Sequence, residues 1–225
     1  VSQTEAALRI IGEGEKVGIR LRLFGGVAFK VLCPSANKPP LYRTNRDLDF
    51  MARRENFKKV DTLLRSLGYQ PRKVFNALNA GERAIYSNND KVDIFYDTFR
   101  MCHTFNFRDS LLPNAYTLPL TDLIITKLQV IEITEAELKD LSAAFEDFDF
   151  SKDGIDGMRI IEMCRKDWGL FATFTRSLTT INAYHPNPKV VKLKEMIENA
   201  PKSIGWKMRS KIGEKAKWYE EPESV

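Results

Sequence analysis

Arg43-Thr44-Asn45-Arg46-Asp47-Leu48-Asp49-Phe50 carries two aspartates one residue apart, each followed by a large apolar side chain. Successive side chains of a strand point to opposite faces, so Asp47 and Asp49 share one face while Leu48 and Phe50 take the other. Downstream, Lys91-Val92-Asp93-Ile94-Phe95-Tyr96 sets a third aspartate among apolar neighbours in the same way. A neighbouring strand lies about 4.8 Å away, which lets Asp93 join the first pair. Upstream, Gly25-Gly26 ends an apolar stretch. Two glycines at a strand-to-helix turn allow a phosphate to approach the backbone, and the N-terminus of the following helix attracts it.

Working outward, apolar spacing predicts a short helix over 4–11, capped at Thr4 and ended by Gly12-Glu13-Gly14-Glu15. Ile19-Arg20-Leu21-Arg22-Leu23 alternates as a half-buried strand, and 27–32 reads as a short helix. The proline-bearing 33–42 is a loop. Residues 47–52 form the next strand. Phe57, Val60, Leu63, Leu64 and Leu67 follow helical spacing with Gly68 as the stop. Residues 82–86 and 91–96 flank Ser87-Asn88-Asn89-Asp90 as a hairpin, and 99–107 alternates as one further strand. From Thr121 the pattern is helical, with breaks at 149–157 and 185–188. The expectation is an α+β protein: a small mixed β-sheet core flanked by helices over 1–119, and a helical C-terminal region over 120–225.

Composition narrows the function classes. The chain has 225 residues, 43% of them hydrophobic, enough for a sizeable core. No apolar run of about 18 residues predicts a membrane span, and a cytoplasmic location is expected. Cys33, Cys102 and Cys164 form no CxxC pair and read as buried, reduced thiols. With only His103 and His185, a histidine-rich zinc site or a His-dependent triad is disfavoured. The net charge of +5 suits a polyanionic partner but does not demand one. The basic residues from Lys202 to Lys217 describe a solvated helix as well as a nucleic-acid face.

Crowding three carboxylates to about 5 Å costs about 3 kcal/mol per pair at an effective dielectric near 20. Divalent cations remove that cost, and two magnesium ions would serve phosphoryl chemistry at such a place. Nothing here is a Walker A loop or a GxGxxG turn.

Together, Gly25-Gly26-Val27-Ala28, Arg43 to Phe50 and the third acidic strand resemble the DNA polymerase beta-like nucleotidyltransferase superfamily. Within it they are most similar to the minimal AbiEii-type group of abortive-infection and toxin-antitoxin systems. The resemblance covers roughly residues 4–145, and the spacing from Gly26 to Asp47 is longer than usual because of the loop 33–42. It implies that Asp47, Asp49 and Asp93 are catalytic and bind Mg2+, with two ions. Asp93 would also help deprotonate an acceptor hydroxyl. Gly25 and Gly26 would contact the triphosphate of an NTP. Lys127, on a helix after the sheet, would be a phosphate-side cation, or else a surface lysine with its stem laid on apolar ground. Arg43 and Arg46 would assist the leaving pyrophosphate, or else balance the aspartates. The acceptor would be an RNA, a protein or a small molecule such as an aminoglycoside, and an antitoxin a possible partner. The alternative is a binding module on the same fold that grips nucleotide or a partner protein without turnover.

Asp149-Phe150-Ser151-Lys152-Asp153-Gly154-Ile155-Asp156 begins like a calcium loop. Its twelfth position is Ile160 where a bidentate glutamate is needed, so it reads as an acidic turn between helices. His185-Pro186-Asn187-Pro188 reads as a helix break with Pro188 opening the next helix. Trp168, Phe171 and Phe174 read as helical core.

Overall fold

The computed structural model describes residues 2–221. In chain order the elements are α1 (Gln3–Lys16), β1 (Leu21–Phe24), α2 (Gly25–Leu32), β2 (Asp47–Ala52), α3 (Phe57–Ser66), β3 (Gln70–Pro71), α4 (Lys73–Leu78), β4 (Arg83–Ser87), β5 (Lys91–Tyr96), β6 (Thr98–Arg100) and β7 (Thr104–Asn106). The helices α5 (Leu120–Leu128), α6 (Glu135–Asp147), α7 (Gly157–Lys166), α8 (Trp168–Tyr184), α9 (Pro188–Asn199) and α10 (Ile204–Ser210) follow. This is the expected α+β arrangement of a mixed sheet, flanking helices and a helical C-terminal part. The chain divides into two compact units. One comprises Val1–Leu32, Arg43–Phe99 and Phe105–Leu123; the other comprises Cys33–Tyr42, Arg100–Thr104 and Ile124–Val225.

In the first unit five strands run in the order β1-β2-β5-β4-β3. β2 and β5 are parallel; the other pairings are antiparallel. One face of the sheet is apolar, with Leu21, Leu23, Leu48, Phe50, Val92 and Ile94 all buried. α1 and α3 pack on it: a β-carbon added at Gly14 of α1 would meet the Ile19 carbonyl oxygen, Leu21 and Leu63. That contact explains why α1 runs on to Lys16 instead of stopping at its glycines, as the sequence pattern suggests. The close approach needs a residue without a side chain, and burial of Ile10 and Ile11 stabilises the helix through it. The helix is capped by Ser2 rather than Thr4, in a reciprocal box with Glu5.

Two other expectations change. The alternating run 99–107 is not one strand but two short ones, β6 and β7, paired with each other. α4, which the sequence pattern does not predict, buries none of its residues and leaves Val74 and Leu78 exposed. Asn76 of α4 accepts from the Ile85 N–H at 2.8 Å, the donor that the backbone after β3 leaves open, and donates at 3.0 Å to the Ile85 carbonyl, which also accepts from the Arg72 N–H.

The second unit is built on α8, which packs against α7, α9 and α6. Phe145, Ile160, Phe174, Leu178, Ile181 and Leu193 form its core. Trp168 and Phe171 lie edge-on to Trp218 and Trp206. Pro188 opens α9 behind an Asn187 cap, as the break at 185–188 suggests. The loop 33–42 holds to α6 through Ser35, whose backbone N–H and hydroxyl donate to the Asp147 carboxylate at 2.8 and 2.5 Å.

Candidate active site

The parallel register of β2 and β5 pairs Asp49 directly with Asp93, and Asp47 with Lys91. In-register partners point to the same side, so all three aspartates lie on one face of the sheet, opposite Leu48, Phe50, Val92 and Ile94. β1 is antiparallel to β2 and sets Phe24 beside Asp49. The chain therefore enters its glycine turn next to that carboxylate.

Gly25 has φ +67°, a left-handed conformation, and a β-carbon there would fall on the Asp49 carboxylate. A β-carbon on Gly26 would fall on the Arg43 guanidinium and the Asn45 amide oxygen. Gly25 is required by its left-handed backbone as well as by Asp49 against it, while a side chain at Gly26 would have to push aside the Arg43 and Asn45 side chains. The pair forms the first turn of α2, whose leading N–H groups have no partner within the helix. Beside them, the amide oxygen and nitrogen of Asn45 are buried with no hydrogen-bond partner among the described residues.

The three acids differ in their surroundings. Asp93 is 2% exposed, and Arg83 grips both of its oxygens, Nη2 to Oδ2 at 2.6 Å and Nε to Oδ1 at 3.0 Å. The same guanidinium lies 4.7 Å over the Phe95 ring. Phe95 meets Phe24 and Phe99 edge-to-face at 5.2 Å each, an apolar triangle that excludes water from this end of the face. Asp47 is partly exposed and 3.4 Å from Lys91. Among the described residues, no three His, Cys, Asp or Glu side chains stand close enough together to hold a metal ion.

Of the other sequence-derived residues, Arg43 lies at the glycine turn and Arg46 is exposed beside Asp47. Lys127, in the helical unit, is mostly buried between Glu137 at 3.2 Å and Asp140 at 3.5 Å. Arg83 and Asn45 escape a reading of the acids alone. Arg83 had a signal: a hairpin closing Ser87 on Lys91 puts residue 83 opposite Phe95, diagonal to Asp93 and on its face. Asn45 had none beyond its nearness to Asp47.

Elsewhere the chemistry is structural. Cys33 and Cys164 are buried and free, and burial pushes both thiols up to about 12. Lys202 donates to the Ile197 and Glu198 carbonyls at the end of α9, and Arg209 donates to the Gly213 and Ala216 carbonyls in the segment after α10, so these two members of the basic run hold local backbone. Among the described residues no helix is long and apolar enough to cross a membrane.

The chain belongs to the family described as uncharacterised nucleotidyltransferase, which matches residues 1–146. Among solved structures it is similar to the antibiotic-resistance factor ANT(2'')-Ia, known from a solution structure, at 11% identity over 87% of this chain and 91% of that one, with a TM-score of 0.40. No curated protein matches it.

Proposed function

We propose that the protein is a magnesium-dependent nucleotidyltransferase that moves a nucleoside monophosphate from an NTP to an acceptor hydroxyl, with release of pyrophosphate. The observation that carries this reading is the fit of Gly25 and Gly26 around Asp49, Arg43 and the unpartnered Asn45 amide.

The donor set suits a hard divalent cation. Asp47 and Asp49 offer carboxylate oxygens on the same face of β2, both partly exposed. Asp93 stands in register beside Asp49. Its two oxygens have about four lone-pair positions, and a bidentate arginine uses two of them. Arg83 thus orients the Asp93 carboxylate without exhausting it. Bound there, magnesium would neutralise phosphate charge and polarise the transferring group.

The protein's own groups have separable roles. The N–H groups at the start of α2 and the Asn45 amide receive phosphate oxygens, with room left by the missing side chains. Arg43 and Arg46 supply charge to the departing pyrophosphate. Asp93 accepts the proton of the attacking hydroxyl, and the phenylalanine triangle keeps competing water from that oxygen. Lys127, in this reading, is a phosphate-side cation. An RNA, protein or small-molecule acceptor, the AbiEii-type grouping, and a toxin role with an antitoxin partner are the finer parts of the proposal.

The test is release of pyrophosphate and labelling of an acceptor when the protein is incubated with Mg2+, each labelled NTP, and total RNA, lysate protein or an aminoglycoside. No transfer to any acceptor, with tight NTP binding, would sink the enzymatic reading. One observation favours the alternative, a binding module: the three aspartates are not gathered into a metal-holding cluster. Calorimetry with Mg-NTP separates the two, because a module that does not use the acids would bind equally well as Asp47→Ala.

A further inference from the structure

At the β4 edge of the sheet, a cavity of about 480 Å3 opens between α3, α4 and β4, lined by residues of the face opposite the aspartates and reached at its rim by Arg83 from the aspartate face. The register fixes the side. Ala84, Tyr86 and Tyr96 line the cavity, and they alternate along their strands with Ile85, Asp93 and Phe95, which face the other way. Its volume lies within the range of about 300–1,000 Å3 usual for small-molecule sites. One wall is held in place by Asn76, which bonds both the N–H and the carbonyl of Ile85.

Four cations reach the lining, Lys58, Arg65, Lys73 and Arg83, against one carboxylate, Asp61. That carboxylate already accepts from Arg65 Nε at 2.7 Å and from the Tyr86 hydroxyl at 3.0 Å. Arg83 is engaged by Asp93. Lys58 and Lys73 are exposed, and neither forms an ion pair among the described residues. Two ammonium groups without an ion pair among the described residues, that of Lys58 lying 5.9 Å from the Phe57 ring centre, line a cleft with Phe57, Tyr86 and Tyr96 and match a dianionic phosphate joined to a flat ring.

We propose that this cavity is a second ligand site, taking a phosphate monoester the size of a mononucleotide, with its phosphate on Lys58 and Lys73. It is separate from the glycine turn and goes beyond the transfer reading, which it neither needs nor supports.

The full chain is titrated calorimetrically with adenosine 5'-monophosphate in the presence of EDTA. Saturable binding is expected. Reversing both charges, Lys58→Glu with Lys73→Glu, should weaken it at least about tenfold, since the charge-assisted hydrogen bonds to phosphate are lost and replaced by repulsion. Asp47→Ala should leave it unchanged. Both lysines are exposed, so circular dichroism should show the reversed variant folded. Binding that survives the lysine reversal, binding lost in Asp47→Ala, or no binding at millimolar nucleotide would each overturn the site. None of these results bears on whether transfer occurs with magnesium present.

Discussion

Two places in this chain are rich in aspartate, and they are built in opposite ways. In the turn between α6 and α7 the acids serve their own loop. Asp149 pairs with Lys189 at 2.9 Å, the Asp149 carbonyl accepts from Ile155 N–H, and Asp156 caps α7 by accepting from Arg159 N–H. On the sheet, the surroundings are shaped around the acids instead. A glycine with a left-handed backbone leaves space for Asp49, an arginine orients Asp93, and three phenylalanines dry one end of the face. The density of carboxylates in a sequence therefore says little about chemistry; which residues give way to them says much more.

The largest effect should come from removing an acid for which the structure gives way. Asp49→Ala is expected to lower nucleotidyl transfer about a thousandfold, since charge stabilisation around a metal-bound phosphoryl group is worth several kcal/mol. Asp153→Ala, in the turn, should leave transfer unchanged, and calcium should not shift the melting temperature of the wild-type protein. Equal activity of both variants would remove the distinction between the two places.

Next is Arg83→Ala, which leaves a buried carboxylate without its counter-charge. Breaking such a pair costs about 3 kcal/mol or more, measured as a shift in denaturation midpoint. Asp93→Asn with Arg83→Ala should recover part of that loss, because a neutral amide needs no cation. If the single Arg83 change were silent, Asp93 would be no more constrained than a surface acid of the turn.

These contrasts show what the sequence made legible. The period-2 placement of Asp47, Asp49 and Asp93 among apolar residues was enough for strands β2 and β5 and for the face the acids share. It was not enough for their pairing, because register is set by the whole sheet rather than by either strand alone. The extent of α1 was hidden by Gly12 and Gly14, since helix propensity is local and the close packing of Gly14 is not. The engagement of Asp93 by Arg83 lay one inference away, through the hairpin register. The pairing of Lys127 with Glu137 and Asp140 was out of reach, as it depends on how α5 and α6 pack. The missing twelfth-position glutamate was legible too: 149–156 reads as an acidic turn, and its acids are turn and cap residues.

A smaller effect separates a glycine needed for its backbone from one needed for its surroundings too. Gly18 has φ +72° with nothing within 4 Å of an added β-carbon, whereas Gly25 has φ +67° and the Asp49 carboxylate in the way. Gly18→Ala should cost only the left-handed penalty of about 1–2 kcal/mol. Gly25→Ala should cost about 1 kcal/mol more and should also lower transfer, because Asp49 is the atom group that must move. Equal losses of stability, with transfer untouched in both, would mean that the carboxylate yields without consequence.

The smallest effect belongs to the turn. Asp156→Ala removes a helix cap, and the N–H of Arg159 then has only water to bond. Loss of such a cap costs about 1 kcal/mol. Asp156→Asn keeps an oxygen that can accept from the same N–H and should restore most of it, which a metal ligand would not allow so readily. The two substitutions, compared by thermal denaturation with and without calcium, ask whether the Asp156 oxygen acts on backbone or on a cation. Recovery by asparagine that is independent of calcium keeps this aspartate structural; recovery only in calcium would make the turn a binding loop after all.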